Sequence, residues 1–254
     1  MTDLERIYAF AAQGDMGGER TVPSRFGTAV YSDEIPKRLD ANYLRVEKAV
    51  PDAESLMEEL GRLGRRMAWF PDGAAGDRLA TAFERLGVRA DRHVVMAQRR
   101  EPERTADLSL VREVEEEALR APRRRLLEGE PWASPEVVEQ LFRGKELIAE
   151  RVTMRCFAVV VDGEVASYTD LYLRDNAAQI EDVGTLPEHR GRGYASGVVL
   201  AAVQAARDAG ADLVFLFAEA DDWPKELYRR LGFDDLGHYV KLFPPVGVAS
   251  DASA

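Results

Sequence analysis

Cysteine occurs once and histidine three times in the 254 residues. A single Cys156 excludes an internal disulfide, and its setting in the apolar run RCFAVVV predicts a packed core thiol. Three scattered histidines and one cysteine leave no metal constellation, so no metal is expected. No apolar run approaches the roughly 18–20 residues of a membrane helix, and MTDLERIYAF lacks the basic and apolar regions of a signal peptide. The expectation is a cytoplasmic protein without a membrane partner. Basic charge is also short where nucleic acid would demand it. Residues 1–100 carry 16 acidic and 16 basic side chains, whereas 101–254 carry 29 acidic against 18 basic. That sign opposes a nucleic-acid partner. The acidic excess reads as solubility or, more sharply, as a field drawing in a cationic, amine-bearing substrate.

Hydrophobic content of 46% and charged content of 31% are those of a globular chain. Residues 1–25 are Gly-rich and weakly patterned, as a mobile start would be. Extended runs follow at FGTAVYS and NYLRVEKA, separated by the turn DEIPKRLDA. A helix is predicted over 51–65, with Leu56, Leu60 and Leu63 at helical spacing. Then come the strand MAWF, a turn PDGAAGD, the helix RLATAFERLG and the strand VVMA. The charged, proline-bearing 99-RREPERTAD-107 reads as a linker. Helices are expected in 108–120 and 134–150, the second opened by Ser134-Pro135. No clear strand precedes the first of them.

Asp162-Gly163 between two β-rich runs signals a hairpin. The strand AQIEDVGTL, a Gly/Arg loop, a helix over 194–209 and the strand DLVFLFAEA follow. A short helix PKELYRRLG, the strand HYVKLF and a small, polar tail over 244–254, expected to be disordered, complete the chain. An internal repeat relates 82-AFERLGVRADRHVVM-96 to 227-LYRRLGFDDLGHYVK-241 at an offset of 145. Arg85, Leu86, Gly87 and His93 match Arg230, Leu231, Gly232 and His238. The first copy is shorter and lacks the Gly/Arg loop.

That loop, 188-EHRGRGYASG-197, joins a strand to a helix. Glycines let backbone approach closely, and the free amides of a helix start attract anions. Arg190 and Arg192 can add charge-assisted bonds. The loop lacks the Gly-Lys-Ser/Thr ending of a P-loop and the G-x-G-x-x-G spacing of a dinucleotide fingerprint. Read from Thr185 as T-L-P-E-H-R-G-R-G-Y-A, it resembles the pyrophosphate-binding motif of the GNAT superfamily of N-acetyltransferases, through Arg190, Gly193 and Ala195. The segment 228-YRRLGF-233 is similar to that family's Tyr-x-x-Leu-Gly-Phe, in the right order. The resemblance spans 108–243, and the repeat extends it to a tandem protein with a degenerate first half.

The resemblance implies a mixed α/β (α+β), mostly antiparallel sheet flanked by helices, in two tandem copies. It implies a degenerate half over 1–98, a linker over 99–107 and a catalytic domain over 108–243. It implies acetyl-CoA as co-substrate, held by backbone at Val183, Gly184 and Thr185 and by the loop Arg190, Gly191, Arg192, Gly193, Tyr194 and Ala195. Gly184 is expected to let the cofactor approach closely, or to mark a bulge. Tyr228 is expected to be the general acid; its counterpart in the first half is Phe83, which lacks the hydroxyl. Glu181, Asp182, Asp170 and Asp175 are candidate bases. Glu181 is preferred, and strand alternation places 181 and 182 on opposite faces. Asp221 is expected to cap the following helix, and His189 to lie at the surface. Arg123, Arg124 and Arg125 read as a solvated helix end or a site for an acidic group. The function implied is acetyl transfer to a primary amine, on a small molecule or a protein. The alternative is a non-catalytic CoA-binding regulatory or interaction protein. A homodimer is left open.

Overall fold

The structure, a computed structural model, describes residues 1–14, 17–103 and 105–243. The tail expected to be disordered lies outside the described residues. The first half runs α1 (Asp3–Gln13), β1 (Arg20–Pro23), β2 (Gly27–Tyr31), β3 (Leu44–Val46), α2 (Ala53–Leu63), β4 (Ala68–Phe70), α3 (Gly73–Arg85) and β5 (Arg89–Gln98). The second runs β6 (Val111–Val114), α4 (Glu117–Leu127), α5 (Pro135–Ala149), β7 (Thr153–Val161), β8 (Glu164–Arg174), β9 (Ala177–Thr185), α6 (Tyr194–Asp208), β10 (Leu213–Glu219), α7 (Pro224–Arg230) and β11 (Phe233–Phe243). From β1 and β7 onward the two halves repeat one order, hairpin–strand–helix–strand–helix–strand.

All strands join one sheet in the order β1-β2-β3-β4-β11-β5-β10-β9-β8-β7-β6. Among the described residues, only β3·β4 and β9·β10 are parallel. The final strands are exchanged: β11 pairs with β4 of the first half, and β5 pairs with β10 of the second. β5 and β11 also pair with each other, His93 opposite Tyr239 and Val94 opposite His238. The two histidines matched by the repeat therefore flank the pseudo-twofold centre of the sheet. Val240 and Leu242 of β11 sit in the first half's core with Leu44, Phe70 and Phe83. Met96 of β5 sits in the second half's core with Tyr228 and Phe233. Each such apolar side chain contributes about 1.5–3 kcal/mol through burial, so neither half has a complete core without the other's last strand.

Helices α2, α3, α6 and α7 cover one face, and α1 and α5 pack on the other, around Trp69, Phe215 and Tyr239. Several elements differ from the sequence reading: β1 lies within the weakly patterned start, and the helix expected over 108–120 is α4, Glu117–Leu127. Residues 3–13 form a helix, closed by a capping box between Thr2 and Glu5 and anchored by Ile7 and Phe10. α3 starts at Gly73, inside the expected turn, because Asp72 caps it. Gly73 and Gly76 let β11 pass beneath: a Cβ on either would meet His238 at 2.4 Å or Val240 at 2.6 Å. Finally, Val111–Val114 is a strand rather than part of a helix. It forms the sheet edge against β7, fixed by the bidentate Arg155–Glu113 pair. The first strand expected to be missing is therefore present.

Burial lowers the pKa of His93 to about 3, with Lys241 and Arg89 adding to the effect, and the ring stacks on Tyr239 at 4.8 Å. The native state thus holds His93 neutral while the unfolded chain protonates near pH 6.5. More protons bind the unfolded state below that pH, so stability rises with pH between about 3 and 6.5. Relative to His93→Phe, which keeps the stacked ring, the wild-type chain should lose roughly 1–2 kcal/mol more between pH 7 and 5. Urea unfolding at the two pH values measures this.

Candidate active site

β9 and β10 run parallel and pair only at Ala177–Leu213, Ala178–Val214 and Gln179–Phe215. Beyond Gln179 the two strands part, leaving a split between Glu181–Thr185 and Phe217–Glu219. A bulge bends β9 away. Asp182 takes a left-handed φ of 55° and the register to β8 shifts between Tyr168 and Asp170. Hydroxyls of β8 satisfy the displaced carbonyls: Thr169 donates to Glu181 O at 2.9 Å and Ser167 to Gly184 O at 2.9 Å. The bulge also corrects the expected alternation. Glu181 lies beside Gln179, whose amide donates to its carboxylate at 3.0 Å. Asp182 turns to α4 and α5, on that same face of the sheet. Gly184 has a structural reason of its own: a Cβ there would meet the Tyr168 ring at 2.4 Å. The ring of the opposite residue lies over the glycine.

The loop after β9 delivers the start of α6 to the mouth of the split. Gly191 and Gly193 have φ of 74° and 81°, a region that favours glycine. A Cβ on either would meet nothing within 4 Å, so conformation selects these glycines. Gly193 caps α6 without a side-chain bond, leaving the first-turn amides to outside acceptors. Arg190, Gly191, Arg192 and Gly193 are exposed, and Tyr194 and Ala195 are half-buried. Arg190 Nε reaches Thr185 O at 3.3 Å. Arg192, Gly193, Tyr194 and Ser196 line a pocket of about 280 Å³ with Asp107 of the connecting segment. His189 is half-buried rather than at the surface; its ring tilts against Tyr194 and its buried Nδ1 has no hydrogen-bond partner among the described residues. Val183 is half-buried against the α6 core.

Across the split stands Tyr228. Its ring packs edge-on to Phe233, 6.2 Å between centroids, and is 7% exposed. Burial raises its pKa, and the nearby charges of Glu181 and Asp222 raise it further. The phenol is therefore protonated across the physiological range. Its helix is fixed at the far end by Gly232 (φ 90°), where a Cβ would meet Arg100 O at 2.0 Å. Asp221 does not cap this helix as expected; Trp223 is the N-cap residue, and the neighbouring Asp222 accepts from its amide.

The other candidates separate clearly. Asp175 lies in an exposed hairpin turn beside Arg174. Asp170 is fully buried in an ionic cluster that the sequence did not reveal. Arg123, read as part of a solvated helix end, is 4% exposed and bonds Asp182 at 2.8 Å, Glu116 at 2.7 Å and Asp170. Arg124 and Arg125 remain at the surface, paired to Glu139 and Glu188. Lys145 Nζ lies 2.7 Å from Asp170, 3.2 Å from Asp182 and 2.9 Å from Tyr172 Oη. Burial opposes the charge on Asp182, but Lys145 and Arg123 outweigh it and hold the carboxyl below its ordinary range. Asp182 is thereby tied up as a counter-ion, whereas Glu181 takes no part in this cluster's salt bridges and accepts from Gln179. Cys156 lies against Asp170 at 3.3 Å, and burial first, then that carboxylate, push its thiol up to about 12. It is an inert core thiol, as expected. Among the described residues no cluster suits a metal ion, and no helix is long and apolar enough to cross a membrane.

Residues 111–233 match the model of the acetyltransferase (GNAT) family, and this part of the chain is a GNAT domain. The fold as a whole is similar to a GCN5-related N-acetyltransferase from Kribbella flavida, with TM-score 0.65 and 20% identity over 97% of both chains. It is similar also to a GNAT-family acetyltransferase from Colwellia psychrerythraea, with TM-score 0.52 and 14% identity over 95% of both chains. A functionally unknown conserved protein from Staphylococcus epidermidis has the same fold, with TM-score 0.62 and 15% identity over 91% of this chain and 95% of that one. At these identities the likeness is one of fold. No curated protein sequence matches the chain. The first half is a second, GNAT-like fold, as its element order requires.

The buried cluster yields a stability prediction. Lys145→Met leaves Asp170 with Arg123 as its only cation and should cost about 3 kcal/mol. Arg124→Met, next to Arg123 on α4 but exposed, should change stability by about 0.5 kcal/mol or less. Urea unfolding of the two variants measures the difference.

Proposed function

We propose that the chain transfers the acetyl group of acetyl-CoA to a primary amine directly, without an acyl-enzyme. The observation that supports this reading is a buried, protonated phenol, Tyr228, with the Glu181 carboxylate near enough to raise its pKa, next to strands that part after Gln179. The open amides of α6 lie at the mouth of the same split. The residues suit an elongated thioester bearing a diphosphate. The amides of the α6 start, from Gly191 to Ala195, with Arg190 and Arg192 beside them, form an anion cradle. Val183 and Thr185 offer unpaired strand edge toward β10, whereas the Gly184 backbone between them turns to β8, where Ser167 bonds its carbonyl.

The bound thioester supplies an activated acyl carbon. Glu181 takes a proton from the ammonium acceptor, directly or through water, and frees the nitrogen lone pair. As the C–N bond forms and the C–S bond breaks, Tyr228 donates its proton to the departing sulfur. Its raised pKa keeps the phenol supplied with that proton at neutral pH. Phe83 stands at the equivalent place in the first half, where Asp52 rather than a glycine caps the helix. Catalysis is accordingly assigned to the second half. The acidic excess of that half favours a cationic acceptor.

The test is release of free thiol from acetyl-CoA with a panel of primary amines. Tyr228→Phe should lower kcat about 100-fold, with little change in KM for acetyl-CoA. Glu181→Gln should lower kcat/KM most at low pH, where the acceptor is fully protonated. Cofactor binding without turnover on any amine would leave a CoA-binding protein and overturn the catalytic reading.

A further inference from the structure

The two parallel strand pairs end on the same local device, with one change. In the first half the β3–β4 pairing ends at Arg45 opposite Trp69, and in the second the β9–β10 pairing ends at Gln179 opposite Phe215. Trp69 and Phe215 belong to one apolar cluster, so both end positions present the same face of the sheet. In each half the residue at that position donates to a carboxylate two residues on. Arg45 Nε reaches Glu47 Oε1 at 2.8 Å, and Gln179 Nε2 reaches Glu181 Oε2 at 3.0 Å. Residues two apart on a strand share a face, which allows the bond.

The settings differ. Arg45 and Glu47 form a partly exposed ion pair, their side chains 26% and 40% exposed. Gln179 is 0% exposed, with Ala177 two residues before it and Phe215 opposite. A strand buried in this way ordinarily carries an apolar residue, and an amide is costly there unless it is bonded. The bond to Glu181 gives it a partner. A neutral donor also acts differently from a guanidinium: it orients a carboxylate without adding the counter-charge that keeps a proton away. The cations of this region, Arg123 on α4 and Lys145 on α5, are bonded to Asp170 and Asp182. The other ionisable groups around Glu181 and Tyr228 are Tyr172 on β8 and Asp222 before α7.

We propose that Gln179 is a positioning residue for acetyl transfer. Its neutral amide fixes the Glu181 carboxylate near Tyr228 and leaves it able to take the proton of the acceptor ammonium. This role rests on the catalytic reading given above. The proton passes from nitrogen to a Glu181 oxygen, the electron pair of the N–H bond stays on nitrogen, and Gln179 exchanges no proton. Since Gln179 donates to the charged carboxylate, its loss makes the charged form harder to keep.

Gln179→Met and Gln179→Leu each remove the donor and keep a side chain of similar size. Two readouts are taken on the full chain. One is the pH profile of kcat/KM for the amine. The other is titration of the Glu181 carboxyl carbon in protein labelled with 13C-glutamate, its signal assigned by Glu181→Gln. In both variants the acid limb and the Glu181 titration should move up by about one pH unit. kcat at neutral pH should fall about tenfold, while KM for acetyl-CoA stays the same. In the Glu181→Gln background, Gln179→Met should change kcat by about twofold or less. The role of Gln179 is overturned, with the catalytic reading intact, if Glu181 titrates as in wild type, if kcat is unaffected, or if the loss is equal in both backgrounds. Unfolding of both variants overturns it too, because Gln179 would then serve the fold alone. Absence of wild-type turnover on every amine overturns the catalytic reading and this role with it.

Discussion

β11 lies between β4 and β5, and the geometry of the molecule depends on that placement. It leaves α7 at Gly232 and crosses into the first half's sheet, where Val240 and Leu242 complete the first core. β5 makes the reverse crossing and supplies Met96 to the second core. The linker after β5 then returns over Gly232, whose carbonyl accepts from the Arg99 and Arg100 amides at 2.8 and 3.0 Å. Tyr228 therefore sits on a short helix held at its end by strands of both halves. The first half is structural for the second even though it lacks the loop and the phenol.

The repeat has diverged through a few substitutions with clear physical meaning. Gly193 leaves the α6 amides open, whereas Asp52 closes those of α2. Tyr228 offers a proton where Phe83 offers only a ring. Both halves nevertheless keep a parallel pair whose pairing stops after two or three residues. The split was retained in both copies, and its contents were free to differ.

Around the second split, a bulge and a buried ionic cluster act together. The left-handed Asp182 breaks alternation, and Arg123 and Lys145 hold its carboxylate against α4 and α5. Glu181, bonded to Gln179, stays out of that cluster's salt bridges. The cluster contains two cations against Glu116, Asp170 and Asp182. Its stabilising value depends on every member being bonded, since an unpaired charge in that position is costly.

Local signals carried much of this. The Asp162-Gly163 hairpin, the Ser134-Pro135 helix start, the Gly/Arg loop and the offset between the repeats all rest on backbone preferences or on short-range pattern, and the sequence alone determines them. The same holds for the inert Cys156, set in an apolar strand. What escaped was decided by contacts between residues far apart. Gly73 and Gly76 read as turn residues until β11 is seen to pass beneath their helix. Val111–Val114 is too short to stand out until β7 offers it an edge. Arg123 looks solvated until Asp170 and Asp182, 47 and 59 residues away, are brought to it. The exchange of β5 and β11 left no mark in either strand's pattern. An alternating apolar strand fits equally well against its own half or the other, and only the packing of both cores distinguishes the two.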